Sequence, residues 1–119
     1  MQRGQLFDTS GARLLLANVR RTLTPWDRLR GLLGRAPLGP NSGLLIDPCH
    51  SIHTCFMRYA IDVVYLDRDW SVTRIVPAVP PWRFSYAGRA CMTLELASGR
   101  AAELELGVGQ VLSWRPLAK

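Results

Sequence analysis

The sequence predicts a single α+β domain in which a mostly antiparallel, curved β-sheet, partly closed into a barrel or a sandwich, is accompanied by two short helices. Short apolar segments rich in β-branched residues recur along the chain, and turn residues separate them. Only two segments have helical signals, and they do not alternate regularly with the strands. A chain of 119 residues is long enough to bury a core, so we expect one domain spanning 1–119.

The strand signals are short and lie in eight segments: 5–7, 13–19, 43–46, 51–57, 60–66, 70–76, 91–96 and 110–114. Turn residues at 8–11 and 67–69 favour hairpins. The segment 51–57 alternates, so His53, Cys55 and Met57 are expected on one face. The proline-interrupted segment 77–84 can form only a loop or an edge strand, because proline has no backbone N–H to donate.

Two segments have helical signals. Thr24 is a suitable N-cap and Pro25 suits the first helical position. Gly34 can end this helix, and three leucines are expected on its buried face: Leu29, Leu32 and Leu33. Ser98 can cap a second short helix, which Gly107 would end.

Several short motifs follow one another between residues 29 and 112. They are Leu29-Arg30-Gly31-Leu32-Leu33, Gly43-Leu44-Leu45, Ser51-Ile52-His53-Thr54 with Met57, Ile61-Asp62, Leu66-Asp67, and Leu94-Glu95-Leu96-Ala97-Ser98-Gly99 with Gly107 and Gly109. In combination they resemble the family called domain of unknown function 192. The resemblance implies a small, compact, β-rich domain and implies no activity. Many relatives carry Trp-Met-x-Asn-Thr where this chain has 56–60, so no chemistry of that Asn is implied here.

The net charge of +6 and the pI near 10.0 favour acidic partners. Arginines supply almost all of the positive charge, and the only lysine is Lys119. They are scattered and form no continuous tract, so a solvated basic surface is favoured over a nucleic-acid interface. Gly31–Gly34 and Gly107–Gly109 lack the pattern of a phosphate-binding loop or a dinucleotide fingerprint, and we predict no cofactor.

Three cysteines cannot all pair within one chain, and free thiols indicate a reducing compartment. Cys49 and Cys55 could pair only if two strands brought them together. The N-terminal residues show no export signal, and no apolar run is long enough to span a membrane. We therefore expect a cytoplasmic protein without a membrane span, while its oligomeric state is not predicted.

Both histidines, two of the three cysteines and an acid lie in the apolar segment 43–66. Thiolates and imidazoles suit zinc, and the residues that would supply them are Cys49, His50, His53 and Cys55. Their spacing is not a standard zinc pattern and no second ligand cluster follows. We therefore predict no metal site and keep these four residues as the candidates if one exists.

A thiol-dependent enzyme or another hydrolase is an alternative interpretation of the same segment. His53 and Cys55 would form the nucleophilic pair, and Asp62 would orient the imidazole if its strand lay beside 51–57. The opposing interpretation makes Asp62 structural, either accepting backbone N–H groups or pairing with an arginine such as Arg58.

The leading hypothesis is a non-catalytic binding module for an unknown small molecule or protein of acidic or aromatic character. Its predicted site comprises His53, Met57, Asp62, Trp82 and Phe84. The last two belong to the loop 80–84, where they either contact a peptide, a base or a lipid headgroup or fold back over the sheet. A nucleic-acid-binding domain using an arginine face is the further alternative. The remaining tryptophans are expected in packing roles: Trp26, Trp70 and Trp114.

Overall fold

Nine strands and two short helices follow one another in the computed structural model, which describes residues 1–10 and 12–117. In chain order they are β1 (Gln2–Asp8), β2 (Arg13–Arg21), α1 (Pro25–Arg30), β3 (Ser42–Ile46), β4 (Ser51–His53), β5 (Ile61–Leu66), β6 (Val72–Val79), β7 (Phe84–Tyr86), β8 (Met92–Ala97), α2 (Arg100–Glu103) and β9 (Leu112–Pro116).

Seven strands form one sheet in the order β6-β5-β8-β3-β2-β1-β9, and β4 pairs with β7 in a separate two-stranded sheet. All pairs are antiparallel except β2 with β3, so the large sheet is mixed. An isolated bridge between Ser71 and Val111 joins its two edges at one end. The α+β class with a mostly antiparallel sheet and two short helices is confirmed, while the described strands do not close into a barrel.

The strand β5, next to the edge strand β6, is buried on both faces, which explains its mostly apolar sequence. Val64 and Leu66 face a core that the curled sheet and α2 enclose. Val63 and Tyr65 face the opposite way, into a second core. This second core is covered by the β4–β7 sheet and by the segment around Leu32, and two cavities lie beside or under that cover.

The first helix begins as predicted. Thr24 accepts from the backbone N–H of Asp27, whose carboxylate accepts in return from the Thr24 N–H, so the two residues form a capping box. The helix ends earlier than expected, at Arg30, because Gly31 adopts a φ of 50°. Leu29 therefore lies on an exposed surface and only Leu32 of the predicted leucine face is buried, which corrects that prediction.

Three further expectations need correction. The strand at 51–57 ends at His53, because the following residues turn back toward β5. The second helix has Gly99 instead of Ser98 at its N-cap position, without a side-chain capping bond, and it ends at Glu103, before Gly107. Trp26 is exposed, whereas Trp70 and Trp114 pack against the first core as predicted, and the Arg21 guanidinium lies 5.6 Å and 5.2 Å from their ring centroids.

The packing is tight at Gly4, where β1 pairs with β9. The Trp114 indole lies over Gly4 and donates from Nε1 to the Val19 carbonyl at 3.0 Å. A Cβ at Gly4 would lie 2.3 Å from that ring. Gly4→Ala should therefore lower the free energy of unfolding by about 1–3 kcal/mol in urea titrations. Gly39→Ala, where a Cβ meets no atom within 4 Å, is the control; equal losses at both positions would contradict the packing role.

Candidate functional site

A groove of about 710 Å³ lies between β6 and the β4–β7 sheet. Three residues that line it carry a positive or titratable nitrogen group, namely His53, Arg74 and Arg83, and no lining residue is acidic. Arg74 donates to the Tyr86 carbonyl and so ties the end of β7 to β6. The groove is therefore a concave surface of positive character in a protein with a net charge of +6.

The walls of the groove are largely apolar. Val76 and Val79 line it from β6, and Phe84 lines it from β7. Phe84 is 82% exposed, and its ring lies 6.3 Å from the His53 ring, centroid to centroid, at a tilt of 50°. An aromatic ring, an imidazole and two guanidinium groups on apolar walls form a surface suited to a ligand that is anionic at one part and apolar at another.

Two buried hydroxyl groups lie behind the wall of the groove. Ser85 is 9% exposed and lines it, yet its Oγ has no hydrogen-bond partner within 1–10 and 12–117. The hydroxyl of the fully buried Tyr65 is likewise unpartnered. Burial raises the pKa of Tyr65, and the neighbouring Ser85 opposes that rise. These neighbouring hydroxyl groups therefore lie behind the wall of the groove, since the Ser85 Oγ is itself buried.

The predicted site residues separate into three groups. His53 and Phe84 line the groove. Trp82 lies outside the set of groove-lining residues, where its ring packs against Phe56 with centroids 4.6 Å apart. Met57 and Asp62 are buried and support the structure behind these surfaces.

Asp62 is fully buried, and backbone N–H groups bind both of its carboxylate oxygens. Ala78 donates to Oδ1 at 2.8 Å, Gly99 donates to Oδ1 at 3.1 Å, and Ala101 donates to Oδ2 at 2.9 Å. These contacts join β5 to β6 and to the start of α2. The sequence left two structural roles open for Asp62: accepting backbone N–H groups or pairing with an arginine. The carboxylate accepts backbone N–H groups, and no ion pair with Arg58 forms among the described residues.

The enzymatic alternative required Asp62 beside His53 and Cys55. That condition is not met, because β5 lies between β6 and β8 while β4 pairs with β7. Across the described part of the chain, no side-chain hydrogen bond joins these three residues. In this arrangement the Asp62 carboxylate binds backbone N–H groups and does not orient the His53 imidazole.

A second cavity of about 90 Å³ lies under α1 and the residues that follow it. Cys49, His53 and Met57 line it, together with an acid that the sequence analysis did not select, Glu95. Glu95 is 4% exposed on β8, and burial raises its pKa from 4.5 to about 7. Its position between Leu94 and Leu96 was a signal for a buried acid, since free carboxylates are costly inside apolar strands.

Among the described residues, no side-chain hydrogen bond joins the thiol, imidazole and carboxyl groups that share this cavity. The Cys49 thiol donates to the Ser51 carbonyl, with Sγ 3.0 Å from the oxygen. Within the described ranges, no three Cys, His, Asp or Glu residues are arranged to hold a metal, which includes Cys49, His50, His53 and Cys55. The three cysteines are free thiols, and Cys49 and Cys55 are not bridged.

The fold and the groove define a small, mostly β domain with a mixed sheet and an open positive cleft. The chain belongs to the family named domain of unknown function 192, described as "Uncharacterized ACR", whose sequence profile matches residues 7–114. The resemblance seen at 29–112 is thus confirmed and extends further in both directions. The chain is accordingly a β-rich module of an uncharacterised family. No curated protein matches this sequence.

Two solved structures share the fold. A protein from Sinorhizobium meliloti 1021, provisionally named a transcription regulator, is 21% identical, with a TM-score of 0.80 over 95% of this chain and 92% of its own. A protein of unknown function from Novosphingobium aromaticivorans DSM 12444 is 23% identical, with a TM-score of 0.75 over 94% of this chain and 84% of its own. At these identities the similarity shows the fold alone.

No helix within the described residues is both long and apolar enough to cross a bilayer.

Asp62→Asn should lower the free energy of unfolding by roughly 2–4 kcal/mol. The side-chain NH2 group of Asn would point at a backbone N–H group that now donates to the carboxylate, so two donors would face each other. Urea denaturation measures the loss. Asp69→Asn, which changes an exposed acid in the β5–β6 turn, is the matched control and should have little effect. If Asp62→Asn is as stable as the unmodified protein, the structural role assigned to this carboxylate is wrong.

Glu95 should make stability depend on pH. Because its folded pKa of about 7 lies above the ordinary value of 4.5, the folded state binds more protons than the unfolded state between these values. The free energy of unfolding should therefore fall as pH rises from 4.5 to 7, by on the order of 3 kcal/mol, with the loss complete above pH 7. Urea titrations across this range measure the slope. Glu95→Gln should flatten it, and an unchanged slope in that variant would assign the titration to another group.

Proposed function

We propose that this chain is a non-catalytic binding module that binds a small anionic ligand with an apolar or aromatic part in the groove between β6 and the β4–β7 sheet. The observation that carries the proposal is the composition of the groove. About 710 Å³ of concave, mostly apolar space is lined by Arg74, Arg83 and His53 without an acid. Both arginines are exposed at the groove, and guanidinium groups bind carboxylate, sulfonate and phosphate groups through charge-assisted hydrogen bonds.

Side chains, not strand pairing, would make the contacts. The strand β6 is an edge of the large sheet, which in other proteins can accept a further strand. Here Pro77 has no N–H to offer, and the N–H of Ala78 already donates to Asp62. The edge is thus interrupted beside the groove, which favours a compact ligand over an extended peptide.

Specific groups in the groove have complementary roles in this proposal. The guanidinium of Arg83 would meet the anionic group, and the exposed ring of Phe84 would stack on the apolar part. Ser85 would close the inner wall, with its buried Oγ beside the Tyr65 hydroxyl. Binding needs no metal and no cofactor. The proposed location is the cytoplasm, and the three free thiols support it because thiols persist in a reducing compartment.

The test uses 8-anilinonaphthalene-1-sulfonate, an aromatic anion whose fluorescence rises in apolar surroundings. Arg83→Gln and Phe84→Ser should each weaken its binding by about fivefold or more, since each removes one of the two required contacts. Phe84 is 82% exposed, so Phe84→Ser should leave the melting temperature unchanged.

Arg68→Gln is the matched control, because Arg68 is exposed in the β5–β6 turn and does not line the groove. It should bind the probe as the unmodified protein does. Equal weakening by Arg68→Gln would attribute binding to net charge alone. Unchanged binding in both Arg83→Gln and Phe84→Ser would place the site elsewhere.

A further inference from the structure

Two aromatic side chains outside the groove form an exposed pair, which we call the aromatic tip. It consists of Phe56 and Trp82, which are 73% and 56% exposed. Their ring centroids lie 4.6 Å apart with the ring planes at 59°. The two residues belong to separate turns, one after β4 and one between β6 and β7, so the fold brings together residues that are distant in the sequence.

Both residues of the aromatic tip have a backbone conformation that side chains disfavour. The φ angle is 66° at Phe56 and 64° at Trp82, in the left-handed region that glycine and asparagine occupy most readily. Bulky residues in this region carry strain, and rings this exposed return little packing energy. Fold stability therefore does not account for aromatic residues at these two positions.

One buried threonine holds the two turns against each other. The Thr54 hydroxyl donates to the Pro80 carbonyl at 2.6 Å and accepts from the Arg83 N–H at 2.9 Å. The Thr54 carbonyl accepts from the N–H groups of Met57 and Trp82, and its own N–H donates to the Arg83 carbonyl. Both turns are thus fixed by a fully buried residue, and the aromatic tip is a rigid feature of the surface.

Positive charge surrounds the aromatic tip. Arg83 follows Trp82 directly, and Arg35 and Arg58 border the same surface depression as Phe56, in which no acid takes part. The acids of the β5–β6 turn lie at the other end of that hairpin, because Ile61 pairs with Val79 whereas Leu66 pairs with Val72. Six strand residues separate the ends by roughly 20 Å. The molecule therefore has an aromatic, basic end.

We propose that the aromatic tip docks on an anionic membrane surface. Phe56 and Trp82 would enter the headgroup region, where aromatic rings are favoured, and the neighbouring arginines would contact lipid phosphates. The two rings are tilted by 59° and share no flat face on which successive bases could stack, so the geometry favours a lipid interface over single-stranded nucleic acid.

The test is flotation of the full chain with vesicles of phosphatidylcholine alone and of phosphatidylcholine mixed with phosphatidylglycerol. The protein should float with the mixed vesicles only, and added salt should reduce the floating fraction. The double variant Phe56→Asn with Trp82→Asn should lose about tenfold or more in partitioning. Asparagine tolerates the left-handed conformation, so the melting temperature of this variant should stay the same or rise.

Val108→Asn is the control, because Val108 is 70% exposed in the turn before β9, next to the acidic end of the β5–β6 hairpin. It should float as the unmodified protein does. The proposal is overturned if the unmodified protein does not float with the mixed vesicles or if the double variant floats equally well. It is also overturned if the melting temperature of the double variant falls steeply. Binding of a thymidine oligonucleotide that the double variant loses would instead assign the surface to nucleic acid. The flotation test and the ligand-binding test of the groove are independent, since neither Phe56 nor Trp82 lines the groove.

Discussion

The carboxylate of Asp62 is the contact on which the arrangement of the second half of the chain depends. It lies fully buried on β5 and binds N–H groups of β6, of the turn after β8 and of α2. One side chain thus accepts hydrogen bonds from three backbone N–H groups that are not used in strand pairing. At Ala78, which has a φ of 49°, this contact holds a bulge in β6 beside Pro77 and directs the chain into the loop that follows.

The site arises from the way the sheet is covered. Because β5 is buried on both faces, the second core needs a cover, and two small elements supply it: the β4–β7 sheet and the α1 segment. No residue of α1 itself is buried, and β4 and β7 have three residues each. Such short elements cannot seal the face, so a groove remains beside β6 and a smaller cavity remains under α1. Glu95 tolerates its burial on β8 because it reaches this smaller cavity.

The sequence predicted local structure where a single segment determines it. Thr24 and Pro25 set the start of α1, and the turn residues set two hairpins. It did not predict features that depend on contacts between distant segments. The alternation across 51–57 suggested one strand, yet Thr54 bonds to the 80–83 loop and turns the chain away after His53. The parallel pairing of β2 with β3 has no local signal either. Among the proposed site residues, the exposed Phe84 was identifiable from its proline-rich surroundings, whereas Arg74 and Ser85 join the groove only through the fold.

The loop between β6 and β7 connects the two surfaces. Trp82 contributes to the aromatic tip and Phe84 to the groove, while Arg83 between them lines the groove and directly follows the tip residue. Arg74 and Thr54 hold the two ends of this segment, through bonds to Tyr86 and to Pro80 and Arg83. If both proposals hold, an anion in the groove neutralises a guanidinium that would otherwise face lipid phosphates. Because surface electrostatics depends on each such charge, a ligand bound at Arg83 should then weaken attachment to an anionic bilayer without moving either aromatic ring.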